Sequence, residues 1–302
     1  MIGIDLGGTK IEIIALADDG SILLQRRVPT PQNQYRRTLE TIAQLVREAE
    51  TSLGRAATVG IGLPGSLSPF DGKMRNANSV CLNGQPLRED IESLLDRRVS
   101  ITNDANCFAL SEATDGAATG AGSVFGVIVG AGTGAGLVVE SKVLDGCNGV
   151  AGEWGHNPLP WPRPDELPGP ACWCGQRGRL ETWLSGPGLA RDHEEQTGAK
   201  GLTARAIAEA EARGDPAATE TLERYETCLA RGLSHIINIF DPEVIVLGGG
   251  ISNIQRLYIP LAPKNTPFRA RRFLSRARRK NAGIVALRQV FTTQLSTKRC
   301  VA

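Results

Sequence analysis

Short apolar runs broken by turn residues open the chain. Residues 2–6 and 12–16 are rich in Ile and Leu and flank Gly7-Gly8-Thr9-Lys10, and Asp18-Asp19-Gly20 leads into a third run at 21–28. Runs of this length, punctuated by Gly and Asp, predict three strands joined by tight turns. The period then lengthens: Leu39, Ile42, Ala43, Leu45, Val46 and Ala49 fall on one helical face, which Gly54 ends. Residues 58–63 read as a strand closed by Pro64-Gly65-Ser66, 86–95 as a helix, and 99–102 as a strand running into a helix through Ala113. Two apolar runs, 124–129 and 137–139, enclose a glycine-rich turn. Helices are predicted at 180–190, 203–213 and 215–239, the last with Ala218, Leu222, Tyr225, Leu229, Leu233, Ile236 and Ile237 on one face; Asp241-Pro242 stops it, and 244–247 reads as a buried strand.

Composition adds little to this α/β picture until charge is mapped by position. With 41% hydrophobic and 22% charged residues among 302, the chain has the balance of a globular protein. The run 124–139 is too short and glycine-broken to span a membrane, and the first residues enter a strand without a basic, apolar leader. Seven cysteines without scaffold spacing point to reduced thiols and a cytoplasmic location. Residues 1–243 hold all 32 acids against 22 Lys and Arg, whereas residues 244–302 hold 12 Lys and Arg and no acid. That block is compatible with a basic nucleic-acid tail, a divergent folded C-terminus or a shifted reading frame; without interleaved aromatics it predicts no specific nucleic-acid partner.

Three stretches carry candidate chemistry. A Gly7-Gly8-Thr9-Lys10 turn lets backbone N–H groups approach a phosphate, with a hydroxyl and a charge to add, although a plain hairpin also uses Gly-Gly. Gly130, Gly132, Gly134 and Gly136 alternate between two apolar runs around Thr133, a costly arrangement that implies close approach by another group. Asp104, in Asn103-Asp104-Ala105-Asn106, follows a strand and precedes a helix, where it serves equally as a ligand-facing carboxylate or a helix cap. Asn76, Asn78 and Asn83 punctuate a loop able to offer amides to a hydroxylated ligand, or simply to turn. His156, Cys172 and Cys174 suit zinc, but a closed structural site takes four N or S ligands and only three are in view; two small buried apolar thiols are the alternative.

Asn148-Gly149, Glu153-x-Gly155-His156 and Cys172-x-Cys174-Gly175-x-x-Gly178-x-x-Glu181 resemble the signature of the ROK family of sugar kinases and sugar-responsive repressors, and with Asn157-Pro158-Leu159-Pro160 the stretch is most similar to its fructokinase/mannokinase branch. The resemblance covers roughly residues 1–257. It implies a two-domain actin-like ATPase (ribonuclease H-like) fold with a cleft: a smaller domain at 1–105, a larger one at 106–257, and an atypical basic segment at 258–302. It implies ATP and Mg²⁺, the phosphates held by Gly7, Gly8, Thr9, Lys10, Gly130, Gly132, Thr133 and Gly134, the adenosine lying against Gly248 and Gly249, and Asp5 acting through the Mg²⁺ shell. Asp104 becomes the base that takes the proton of the attacking sugar hydroxyl. Asn78, Asn103, Glu153, His156 and Glu181 become the sugar contacts. Zinc carries over only in part, to His156, Cys172 and Cys174, because Arg179 stands where the family has a third Cys; Ala131 likewise stands where Thr is common.

The expected activity is therefore ATP-dependent phosphorylation of a hexose, fructose first and mannose behind it, by a cytoplasmic homodimer. An N-acetylhexosamine or glucose kinase is the alternative within the class. Outside it stand a non-catalytic sugar-binding protein, a DNA-binding repressor and a chaperone-like ATPase. Retained Asp104 and glycine loops argue against the first, a start at the first phosphate strand against the second, and the Glu153/His156/Glu181 cluster against the third.

Overall fold

The computed structural model describes residues 1–77, 79–258 and 274–276. Asn78 and nearly all of the basic segment lie outside them.

The first half contains β1 (Ile2–Leu6), β2 (Lys10–Leu16), β3 (Ile22–Pro29), α1 (Tyr35–Leu53), β4 (Val59–Leu63), a ribbon of β5 (Ser66–Leu67) and β6 (Met74–Arg75), α2 (Leu87–Leu95) and β7 (Val99–Asn103). Its sheet runs β3-β2-β1-β4-β7, antiparallel across β3, β2 and β1 and parallel from β1 through β7. Every residue of β4 is buried, as expected of an inner parallel strand covered on both faces. The edge strand β3 is largely exposed and carries Arg26 and Arg27, charges that discourage pairing with another chain. Helix α1 lays the predicted apolar stripe against this sheet and ends at Gly54 in the left-handed region, φ 65°.

The second half repeats the plan. After α3 (Asp104–Thr114) come β8 (Ser123–Val129), β9 (Thr133–Val139), β10 (Lys142–Val143), α4 (Leu180–Leu184), α5 (Gly186–Thr197), α6 (Ala204–Ala212), α7 (Pro216–Phe240), β11 (Val244–Gly248) and β12 (Leu274–Arg276). The sheet order β10-β9-β8-β11-β12 matches the first sheet strand for strand, with the same directions. Two like-built halves, each opening on a glycine hairpin, are what the paired loops imply. The parallel pairing of β12 with β11 adds an ordered strand to the second sheet from within the basic segment.

Helix α3 joins the halves. Ala105 through Ala113 are all buried, because the helix packs on both sheets. Glycines make the approach possible: a Cβ at Gly136 on β9 would lie 2.5 Å from Ala105 O, and one at Gly126 on β8 would lie 2.7 Å from the Ala109 Cβ. The expected domain boundary between residues 105 and 106 thus falls in the first turn of a helix shared by both halves. The helix predicted at 180–190 is two helices, since Ser185 caps the second through its side chain to Gly188 N and Pro187 begins it.

Candidate active site

A cleft of about 690 Å³ opens between the halves, lined by the second glycine loop, Asp104, Glu153, His156 and Glu181, while Gly8 and Thr9 of the first loop line a separate hollow with Thr30 and Ser79. The first loop is a closed hairpin, with Gly7 N–H donating to Lys10 O at 2.9 Å. Two side chains pin it from below: Thr30 Oγ1 donates to Gly7 O at 2.7 Å and Gln32 Nε2 to Gly8 O at 2.6 Å. Gly8, Thr9 and Lys10 are left exposed. Asp5 is half-buried behind the loop; burial raises its pKa, helped by the Glu12 charge and opposed by Lys10 and Arg27.

The second loop closes through Gly130 N–H to Gly132 O at 2.9 Å and is braced by Gly186 N–H to Gly130 O at 2.7 Å. Gly248 and Gly249 lie beside it, and a Cβ at Gly249, with φ +83°, would come 2.4 Å from Val129 O. The Thr133 Oγ1 is buried and has no hydrogen-bond partner among the described residues. A buried orphan hydroxyl on a glycine loop suits a phosphate oxygen, so the donor set fits a nucleotide.

Asp104 occupies the first position of α3, at the carboxyl end of β7. Ala105 N–H donates to Asp104 Oδ1 at 2.8 Å, and Asp104 is exposed where it lines the cleft. Protein surrounds it on the other sides. That desolvation, with repulsion from Asp5 and Glu153, outweighs the Ala105 bond and pushes its pKa up to about 6. The formal cap is Asn103, whose Oδ1 accepts from Ala105 N at 2.8 Å and whose Nδ2 donates to Gly65 O at 2.9 Å. Its amide is therefore committed to holding β7 and α3 in place, alongside any sugar contact.

Glu153, His156 and Glu181 meet at the far wall. Glu153 Oε2 stands 3.9 Å from His156 Nε2. Glu181, in the first turn of α4, accepts from Thr133 N at 3.2 Å through Oε2 and from Trp173 Nε1 at 2.7 Å through Oε1. One carboxylate thus ties the second loop to the cysteine segment. The Trp173 ring meets that of His156 edge-on, with centroids 4.9 Å apart.

The ligand atoms of His156, Cys172 and Cys174 lie within 4.8 Å of one another. Tetrahedral zinc with Zn–S near about 2.3 Å needs only a small contraction of that spacing, so three donors fit. Arg179 does not complete the set: its guanidinium stands beside the Cys174 thiol, which it helps hold below its ordinary pKa after the larger effect of the Gln176 backbone N–H. Sequence reasoning missed Trp173, and it missed Asp145, which lines the cleft, accepts from Asn106 Nδ2 at 2.8 Å and has its pKa raised by burial. Asn106 lies in the Asn-Asp-Ala-Asn motif and was the available signal for a partner there.

Two matched α/β halves, each built on a glycine hairpin, with Asp104 at their junction on the cleft, define a two-domain actin-like nucleotide-binding protein. The ROK family model matches residues 1–284, past the point at Leu257 where motif reading stops, and the chain belongs to the ROK family. It is 40% identical over 271 residues to an N-acetyl-D-glucosamine kinase of Pectobacterium atrosepticum, covering 88% of each chain. Among solved structures it is similar to a ROK hexokinase from Thermus thermophilus, with a TM-score of 0.84 and 31% identity over 98% of this chain and 99% of that one. It is also similar to a ROK family glucokinase from Streptomyces griseus in complex with glucose and AMPPNP, with a TM-score of 0.76 and 27% identity over 96% and 98%. These relatives do not support the fructokinase expectation. No helix among the described residues is long and apolar enough to cross a membrane.

Proposed function

We propose that this chain is an ATP-dependent carbohydrate kinase whose substrate is N-acetyl-D-glucosamine. The observation carrying the class is the gathering of the second glycine loop, Asp104 and the Glu153/His156/Glu181 wall on one cleft, with Asp5, behind the first hairpin, close enough to Asp104 to raise its pKa. The sugar is taken from the N-acetyl-D-glucosamine kinase relatives at about 40% identity. ATP, with Mg²⁺ neutralising its phosphates, is the phosphoryl donor.

In this reading the two glycine hairpins hold the phosphates from opposite sides, with the Thr133 hydroxyl and Lys10 as side-chain donors. Asp5 faces the region of the cation through its water shell. Glu153, His156 and Glu181 hold the sugar by its hydroxyls and set its primary hydroxyl against Asp104. As that oxygen bonds to the terminal phosphorus and the bond to the leaving ADP oxygen breaks, its proton passes to Asp104. Closure of the halves keeps water, the competing acceptor, out of the cleft. His156, Cys172 and Cys174 would hold zinc, which would brace the segment that carries the Trp173–Glu181 contact, with Arg179 supplying no ligand.

The test is coupled ADP release by the purified full chain with ATP, Mg²⁺ and a panel of N-acetyl-D-glucosamine, glucose, mannose and fructose. Turnover on the order of 1–100 s⁻¹, typical of kinases, and highest kcat/KM with N-acetyl-D-glucosamine, is the expected result. Preference for fructose would restore the motif-based expectation, and absence of turnover on every sugar would remove the class.

A further inference from the structure

One polar contact reaches across the cleft to the very stretch that presents the sugar-facing residues. Arg75 ends the small ribbon of β5 and β6 in the first half. Its Nε donates to Ser66 Oγ at 3.2 Å on the neighbouring strand, and its Nη2 donates to Asn148 O in the second half. The residue it grips is followed by Gly149 at φ +60°, where a Cβ would stand 3.3 Å from Arg75 Nη2 and 3.5 Å from Leu67 O. The positive φ suits glycine here, and an added methyl would crowd chiefly the Arg75 guanidinium.

The gripped turn is continuous with the sugar wall. Gly149 N–H donates to Gly146 O at 3.1 Å, Ala151 N–H to Asp145 O at 3.2 Å, Glu153 N–H to Val150 O at 3.2 Å and His156 N–H to Glu153 O at 3.2 Å. Successive turns thus link Asn148 through to Glu153 and His156 along the chain. The run is anchored at its start where Asn106 donates to Asp145, and in its middle where Gly152 presses on Ala135 O of β9, at 2.1 Å from an added Cβ. Arg75 itself is not among the residues lining the cleft, whereas Ser66, Leu67, Gly149 and Glu153 are. Its position is behind the wall, holding two pieces of it together.

We propose that Arg75 is a positioning residue that couples closure of the smaller half to the placement of Glu153 and His156 for the sugar. The proposal rests on the sugar-kinase reading of that wall. In the closed arrangement the guanidinium, aimed by Ser66, holds the Asn148–Gly149 turn against the ribbon; when the halves part, the bond is lost and the turn is free to relax. A charge-assisted bond of this kind stabilises the arrangement in which the sugar is gripped, so its loss weakens sugar binding without removing any group that touches reacting atoms.

The test compares the full-length wild type with Arg75→Met, which keeps the apolar stem and removes the donors, and with Ser66→Ala, which removes only the aiming partner. For each, KM for N-acetyl-D-glucosamine, KM for ATP at saturating sugar, kcat and melting temperature are measured. Arg75→Met is expected to raise the sugar KM about tenfold or more, the scale of one charge-assisted bond, with kcat within threefold, ATP KM within twofold and an unchanged melting temperature. Ser66→Ala should move the same constant in the same direction by a smaller factor. An unchanged sugar KM in Arg75→Met, or a loss confined to kcat and melting temperature, overturns the proposal. Absence of activity in the wild type, by contrast, would overturn the kinase reading on which it rests.

Discussion

At the start of α3, one carboxylate is pulled both ways. The Ala105 N–H favours the charged form of Asp104, while the surrounding protein and the charges of Asp5 and Glu153 favour the neutral one, and the balance leaves a pKa of about 6. A base must be ionised to accept a proton, and a value just below neutrality keeps it ionised while remaining basic enough to help. The sign follows: kcat/KM should be level above about pH 7 and fall with unit slope below about pH 6. Asp104→Asn should lower kcat by about 10²–10⁴-fold and abolish that limb while sugar binding, measured by calorimetry, persists. A variant that kept the same acid limb would assign the titration to another group. Asp104 was readable from sequence because a strand end, a carboxylate and a helix start are local features. Asp145 was not, since only the fold brings it opposite Asn106, across 39 positions of chain.

Among elements, α3 shows why the halves were readable and their border was not. Periodicity predicted the inner strands, the α1 stripe and the long α7, because apolar burial on one face leaves a repeat in the sequence. A helix buried on nearly every side leaves none, and α3 shows Asn106, Ser111 and Glu112 buried together with its apolar residues. The short ribbon of β5 and β6 and the split at Ser185 depend on partners and caps that local pattern does not specify. The excursion between His156 and Cys172 is another case: its course is set by Glu166, which pairs with Arg231 of α7 at 2.6 Å. Glycine contacts under α3 give a direct check. Gly136→Ala would place a methyl 2.5 Å from Ala105 O, and overpacking of this sort costs about 1–3 kcal/mol. The melting temperature should drop by several degrees, at about 2–4 °C per kcal/mol for a chain of this class. An unchanged melt would mean that α3 can lift from β9.

For the whole molecule, two sets of carboxylates set opposite pH limits on stability. Burial would raise Glu12, Glu50 and Glu166, but hydrogen bonds from Gln25 and Arg27, from Arg97 and Ala57, and from Arg231 and Arg163 more than reverse this and lower all three below 4.5. Folding favours their ionised forms, so their contribution is complete above about pH 4.5 and disappears as pH falls through the lowered folded values. Asp5, Asp104 and Asp145 are raised from 3.8, chiefly by burial, so holding them ionised at neutral pH opposes folding, and protonation relieves that as pH falls. Thermal melts of the ligand-free chain should accordingly be highest near about pH 4.5, where the first set is still ionised, and decline as pH rises from there through about 6. A melting temperature that climbed steadily to pH 8 would contradict this balance.

The acids of the cleft have a further consequence for what can enter it. Asp5 and Glu153 are close enough to Asp104 to raise its proton affinity, so the floor of the cleft is a region of negative potential. In the proposed kinase, a bare nucleotide triphosphate, itself a polyanion, would be turned back at this threshold, whereas one that arrives already bridged to a divalent cation would have its charge matched. On that proposal the cleft would sort nucleotides by ionic state before any bond is made, and the need for magnesium would begin at the door.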